Sequence, residues 1–424
     1  MSEQYMEEIG MSVFGKLPVK PGEFYLPVRE HLPLWPIVAC DQYTAQKDVW
    51  QKAYDEVGEE PSALKLIIPE CWLDESDTRV PAACAEMERY MADGVLENAV
   101  NGMVLTRRAT QSGVKTGLVL CVDLEEYSFL KGTASLIRPT EGTVAERIPP
   151  RLKVRKDALL ELSHILILID DKENTVLGPL MQKADSLRKV YDQDLLLNGG
   201  HITGYAVEAE EDLDGVARAF AALQSALIPG GILLAVGDGN HSLATAKAHW
   251  ENVKATLPES EQANHPARFA TVEINNIYDE SLIFEPIHRV IFGAERADVK
   301  HMLAEAGLTP AAAGENADCV LTDCDGEERF TFSAPLHTLP VGTVQQLLDK
   351  AGASIDYVHG DDAVRSIVAR ETAAGKKACG LLLPAMPKEL LFPSVAKDGP
   401  LPRKTFSMGE ANEKRYYMEA RKIR

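Results

Sequence analysis

Along the whole chain, short apolar runs rich in β-branched residues alternate with longer segments whose apolar residues recur every three or four positions. A period near two marks half-buried strands, and a period near 3.6 marks helices packed on one face. Interleaved in this way, the two patterns predict a mixed α/β (α+β) fold. The expected strands are Trp35–Cys40, Leu64–Ile68, a hairpin of Gly102–Arg107 with Thr116–Asp123, then His164–Ile169, Ile232–Val236, and Arg268–Ile274 paired with Leu282–Phe292. The expected helices are Val80–Gly94, Leu177–Tyr191, Glu210–Leu227, Ser242–Lys254, Gly342–Ala351 and Asp361–Ala374. The polar stretch Pro258–Pro266 follows a helix and holds two prolines, so it predicts a boundary between regions 1–257 and 267–424. A weaker boundary signal lies at Phe292–Arg296.

Composition narrows the partners. Hydrophobic residues at 45% and charged residues at 25% are ordinary globular usage, which excludes a disordered or fibrous chain. With 44 Lys and Arg against 64 Asp and Glu, the net charge of −20 argues against nucleic acid or an anionic membrane as a dedicated partner. No apolar run approaches the roughly 18–20 residues of a membrane span, and Met1–Gly10 is polar and acidic, without the basic start and apolar stretch of a leader. A cytoplasmic protein is expected. The seven cysteines are scattered and show no zinc-ligand spacing, so they read as reduced structural thiols.

Charge is spread unevenly. Within 137–156, six cations (Arg138, Arg147, Arg151, Lys153, Arg155, Lys156) stand against Glu141 and Glu146. Within 401–424, seven cations (Arg403, Lys404, Lys414, Arg415, Arg421, Lys422, Arg424) stand against three anions. Solvated ion pairs account for many such runs. The sharper reading is that both islands converge on one small anionic ligand.

The chemistry concentrates in 231–250, where an apolar β run ends at Gly237, turns through Asp238, Gly239 and Asn240, and enters a helix pattern near Ser242. A helix start offers free N–H groups and the positive end of the macrodipole, a ready cradle for phosphate. The glycines allow close backbone approach, Asn240 or Ser242 can cap or bind oxygen, Asp238 can take a metal ion or a proton, and His241 can donate to a phosphoryl oxygen or act as an acid/base group. Turns also use Asp, Gly and Asn for purely conformational reasons. The common nucleotide fingerprints, G-x-G-x-x-G and G-x-x-x-x-G-K-[ST], are absent, as are H-E-x-x-H and G-x-S-x-G.

Several motifs in order resemble the domain of unknown function 1015 family: Ile37–Thr44, Ser135–Thr143, Arg147–Arg151, Asn198–His201, Asp238–Ser242, Phe284–Arg289 and Leu401–Phe406. The Asp-Gly-x-His turn is in addition similar to that of the ParB/sulfiredoxin-like free-serine kinases. These resemblances imply a ParB/sulfiredoxin-like phosphate-binding module in 1–257, followed by a C-terminal α/β region whose tail returns to the site. They imply phosphoryl transfer with a nucleotide (ATP or ADP) and Mg²⁺ held by Asp238, on a small hydroxylated metabolite such as L-serine or its phosphorylated form. Asp238, Gly239 and His241 match the serine-kinase turn, whereas Ser242 replaces the Arg that commonly follows and removes a cation. Sulfiredoxin chemistry is excluded because the turn has no cysteine.

Phosphoryl transfer needs neutralisation of the equatorial oxygens and a carboxylate to accept the attacking hydroxyl's proton. Asp41, at a strand end, and Glu141, between Arg138 and Arg147, are the candidate bases. Arg138, Arg147, His201, His288, Arg289, Arg403 and Lys404 are the candidate phosphate or nucleotide contacts beside Gly239, Asn240 and Ser242. A phosphoserine phosphatase would use the same groups, and a non-enzymatic, ParB-like nucleotide-binding regulator would use the turn for binding alone.

Overall fold

The computed structural model describes residues 14–130, 132–312 and 314–424. The N-terminal stretch read above as lacking a leader lies outside them. The chain forms two compact units: one runs up to Leu282 and resumes at Glu410–Arg424, and the other is Ile283–Gly409. Both are mixed α/β. Among the described residues, no helix is long and apolar enough to cross a membrane. All seven cysteines are free.

In the first unit the strands lie in the order Ile137–Pro139, Leu234–Asp238, Leu166–Ile169, Phe269–Asn276, Gly113–Asp123, Leu96–Thr110, Gly22–Pro27, Ala420–Lys422 and Leu160–Leu162. The expected hairpin is present in register, with Leu105 opposite Leu118 and Val104 opposite Val119. Successive strand residues face opposite sides, so a near-continuous apolar run can serve two cores at once. Leu118, Leu120 and Val122 join one core with Leu213, Val216 and Phe220 of helix Glu210–Ser225 and Leu243, Ala246 and Trp250 of helix Asn240–Lys254. Val119 and Cys121 join the other, with Trp50 and Ala53 of helix Lys47–Val57 and Met87 and Tyr90 of helix Ser76–Ala92.

The C-terminal segment is threaded through this unit. Tyr416–Tyr417 pairs antiparallel with Ile37–Val38, and Ala420–Lys422 lies between Gly22–Pro27 and Leu160–Leu162. Its buried Arg415 donates to Glu273 (2.7 Å), Glu419 (2.9 Å) and the Ser163 carbonyl.

The second unit holds its own sheet, in the order Leu308–Pro310, Gly326–Phe332, Cys319–Asp323, Ala378–Leu382, Glu285–Phe292, Ser354–His359. Helix Asp361–Ala373 packs Val364 and Val368 against Val290 and Leu382.

Four expectations are corrected. Leu64–Ile68 is not a strand: the Ser62 hydroxyl accepts the Leu64 N–H, starting a 3₁₀ turn over Ala63–Lys65. The helix expected over Leu177–Tyr191 stops at Gln182, and Arg188–Asp194 instead forms a strand paired with His201–Val207. Phe269–Asn276 does not pair with Glu285–Phe292, because both its edges are already taken by Leu166–Ile169 and Gly113–Asp123. Segment 258–266, expected as a boundary, lies inside the first unit, since Phe269–Asn276 that follows it is an interior strand of that unit's sheet.

Candidate functional site

Strand Leu234–Asp238 ends in the turn that the sequence singled out, and helix Asn240–Lys254 begins immediately after it. Gly239 sits between them at φ +76° and ψ 25°, in the left-handed region. A Cβ there would also lie 3.0 Å from Ile165 Cα, so the position needs glycine twice over. Gly239→Ala is expected to cost about 1–2 kcal/mol from the left-handed backbone alone, read as a lower urea midpoint with unchanged slope.

The helix start carries no side-chain cap. Its first backbone bond runs from the Leu243 N–H to the Gly239 carbonyl, and the N–H groups of Asn240, His241 and Ser242 have no acceptor among the described residues. The Asn240 Oδ1, buried, also has no partner. Unsatisfied donors at a helix start are what an anion completes.

Two other segments close on this turn. Ile137–Pro139 runs parallel to Leu234–Val236, and both the N–H and the hydroxyl of Thr140 donate to the Val236 carbonyl. The chain then crosses to Val144, whose N–H donates to His241 Nε2 (3.2 Å). That bond makes Nε2 the acceptor, so the neutral imidazole carries its proton on Nδ1. From the other side comes the C-terminal segment. The Ala39 N–H donates to the Arg415 carbonyl, which places Lys414 beside the turn, with its Nζ 3.1 Å from Asp238 Oδ2.

Electrostatics fix the charge states. Burial alone would raise the Asp238 carboxyl, but Lys414 and then His164 outweigh it and hold the carboxyl below its ordinary value. Burial likewise disfavours the Lys414 ammonium, but Asp238, Asp41 and Glu141 together raise it above its ordinary value. Lys414 is therefore a cation amid three carboxylates. His241 is lowered by burial and then by Arg151 and Arg147, against Asp41, and so stays neutral at pH 7. As pH falls below the ordinary histidine value of 6.5, the unfolded chain takes up this proton before the folded one does. The stability difference is thus full above 6.5 and shrinks as pH falls toward the lower folded value. His241→Gln should flatten that acid-side loss in melts between pH 7.5 and 5.

A hydrogen-bonded group adjoins the turn. His164 Nε2 lies 3.3 Å from the Ser242 hydroxyl and 3.7 Å from Asp41 Oδ2, and His164 Nδ1 lies 2.7 Å from the Tyr417 hydroxyl, which accepts the Cys40 N–H. Asp41, Glu141, Arg147, Asp238, Gly239, Asn240, His241 and Ser242 are accordingly gathered around one helix start. Arg147 is exposed and has no ion pair among the described residues. His164, Tyr417 and Lys414 complete the group and were not among the sequence candidates. Lys414 had one signal, its place in the C-terminal basic island.

Other expected contacts are engaged elsewhere. Arg138 donates to the carbonyls of Ser135 and Gly230, toward the start of strand Leu234–Asp238 and away from the turn at its end. Asp194 and Asp192 take both nitrogens of His201 at 2.8 Å and raise its pKa, an environment hostile to an anion. In the second unit His288 faces Asp361 (2.9 Å) and accepts the Leu383 N–H. Arg289 is fully buried, donating to Gln345 and to the carbonyls of Ile287, Lys404 and Arg403. Arg403 pairs with Asp349 at 3.2 Å, and Lys404, at φ +58°, serves through its carbonyl. The second-unit residues thus have structural duties of their own.

Asp238 does not by itself make a metal site. Its Oδ1 accepts the Gly239 N–H and its Oδ2 faces Lys414. Among the described residues the grouping of three close metal-ligating side chains is Asp323, Cys324 and Asp325, where Asp323 is already paired with Arg296.

No curated protein matches the chain. Among solved structures, a free serine kinase in complex with AMP is 11% identical at a TM-score of 0.36, covering 72% of this chain and 92% of its own. A variant of a free serine kinase in complex with ADP is 12% identical at 0.37, covering 74% and 95%. SbnI with a C-terminal truncation from Staphylococcus aureus is 10% identical at 0.36, covering 69% and 82%. The family model described as "Protein of unknown function (DUF1015)" matches residues 19–386, and the chain belongs to that family.

Proposed function

We propose that the first unit is a phosphotransferase that moves a phosphoryl group between a nucleotide and a small hydroxylated metabolite, on a ParB/sulfiredoxin-like strand-turn-helix. The observation that carries this is the uncapped start of helix Asn240–Lys254, with three unsatisfied N–H groups beside a partly buried lysine and a neutral histidine. The N–H groups of Asn240, His241 and Ser242 receive the phosphoryl oxygens, and His241 Nδ1–H donates to the transferred group. Lys414 and Arg147 balance its charge, supplying the cation lost where Ser242 stands in place of Arg. In the forward direction the acceptor's hydroxyl oxygen bonds to the terminal phosphorus while the bond to the bridging oxygen breaks, and the nucleotide leaves one phosphate shorter, as ADP from ATP or AMP from ADP. The hydroxyl proton passes to a carboxylate. Asp41, half-buried beside His164, fits that role better than the exposed Glu141.

Asp238 serves here as the partner of Lys414. Mg²⁺ belongs to this reading only as the counter-ion of the nucleotide phosphates, because it is usually held by one or two carboxylates plus substrate phosphates.

L-serine and phosphoserine are the first substrates to try, on the strength of the turn's resemblance. Coupled assays with serine plus ATP, ADP or pyrophosphate, and separately with phosphoserine, establish donor and direction. Asp238→Ala and His241→Ala are each expected to lower turnover by about 10²-fold or more. Wild-type turnover in both would sink the mechanism.

A further inference from the structure

A pocket of about 140 Å³ lies within the first unit, and part of its wall is the group just described. His164, Ser242 and Tyr417 line it, and their mutual hydrogen bonds gather them on one stretch of the wall. The rest is dominated by side chains such as Leu66, Ile68, Leu73, Met87, Val154 and Leu160. Such a lining decides between ligand types.

An amino acid zwitterion needs a free cation for its carboxylate and a free anion for its ammonium. The charged residues of the wall are already ion-paired, Arg151 with Glu70 and Arg155 with Glu161, leaving Arg155 Nε as an unpartnered N–H but no free cation, and Glu161 is bonded further to Arg421 and the Thr271 N–H. Opening these partly buried pairs to admit a zwitterion would leave charges uncompensated at a cost of several-fold in affinity or more. An apolar body meets no such obstacle. Size sets the other limit, since a cavity of about 150 Å³ holds a ligand the size of benzene, roughly six non-hydrogen atoms.

We infer that this pocket binds the acceptor, and that the acceptor is a small, uncharged alcohol with an apolar body, its hydroxyl turned to the His164, Ser242 and Tyr417 wall. This deepens the proposed phosphotransferase reading by putting an apolar alcohol in place of L-serine as the acceptor, and rests on that reading for the word acceptor, while the binding claim stands on the pocket alone. It also places the hydroxyl beside Asp41, whose Oδ2 is 3.7 Å from His164 Nε2.

The test uses the full chain labelled with ¹³C at methionine methyls, titrated with 3-methylbutan-1-ol and, separately, with L-serine. Met87 lines the pocket, whereas Met103 is buried in the other core. The expected result is a saturable shift of the Met87 methyl with the alcohol, none at Met103, and no Met87 response to serine at equal concentration. Ala158→Leu and Val154→Phe, which add bulk to the wall, should weaken alcohol binding at least tenfold with nucleotide affinity unchanged. A silent Met87 in the wild-type protein, or a serine shift that the alcohol competes away, would overturn the inference. Failure of the phosphotransferase reading shows differently: nucleotide binding by calorimetry would be absent while the Met87 shift persisted.

Discussion

Replacing Lys414 with Met is expected to lower phosphoryl transfer by about 10²–10³-fold, the usual loss when one preorganised charge-stabilising group is removed. The substitution keeps the aliphatic length and deletes the positive charge 3.1 Å from Asp238 Oδ2. Asp238 would then keep the burial that raises its pKa while losing the largest influence that lowers it. A lower melting temperature should therefore accompany the lost turnover. The double variant Lys414→Met with Asp238→Asn removes the stranded charge, so it should recover stability without recovering activity. Turnover within twofold of wild type in the single variant would remove the C-terminal segment from the proposed mechanism.

Arg415→Met is expected to be the most destabilising single change in the first unit, by about 3–5 kcal/mol, as for other buried pairs broken on one side. Arg415 holds Glu273 of an interior strand, Glu419 of its own segment, and the Ser163 carbonyl. Glu419 is buried and also accepts the Tyr191 hydroxyl at 2.6 Å, so its charge would remain in place with one neutral donor. Urea melts compared with Arg424→Met, whose pair with Glu88 at 3.3 Å is exposed, should separate the two cases. The exposed pair should contribute at most about 1 kcal/mol. A loss below that figure for Arg415→Met would show that the network is not what holds the segment down.

The sequence was legible where periodicity and turn chemistry agreed. Residues 231–254 read as strand, turn and helix because apolar side chains switch period across Asp238 and Gly239, and the structure places each element within two residues of that reading. The hairpin around Gly113 was legible for the same reason. Leu64–Ile68 misled because an apolar run carries no record of Ser62 capping its first N–H. Val190 and Tyr191 carried a helical pattern on paper, and the pairing with His201–Val207 overrode it.

The candidate site divides along similar lines. Asp238, Gly239, His241 and Glu141 were visible because a short loop and a strand register join them. Arg289 was misread because an arginine in a strand looks available until its five donors are counted against Gln345 and three carbonyls. Lys414 stood in a run of seven cations, and nothing local distinguishes the one that reaches Asp238 from those that reach solvent. The pairing of Tyr416–Tyr417 with Ile37–Val38, together with the Ala39 N–H bond to the Arg415 carbonyl, makes that selection.

This threading sets an order of events during synthesis. The lysine that faces Asp238 leaves the ribosome only after the whole of Ile283–Gly409 has been made. Domains generally fold as units as they emerge, so the second unit can be complete while the first still lacks the strand and the cation that finish it. A nascent chain stalled anywhere between those points would lack the Lys414 charge that pairs with Asp238. On the proposed reading, phosphoryl transfer would then begin only once Glu410–Arg424 has joined the first unit.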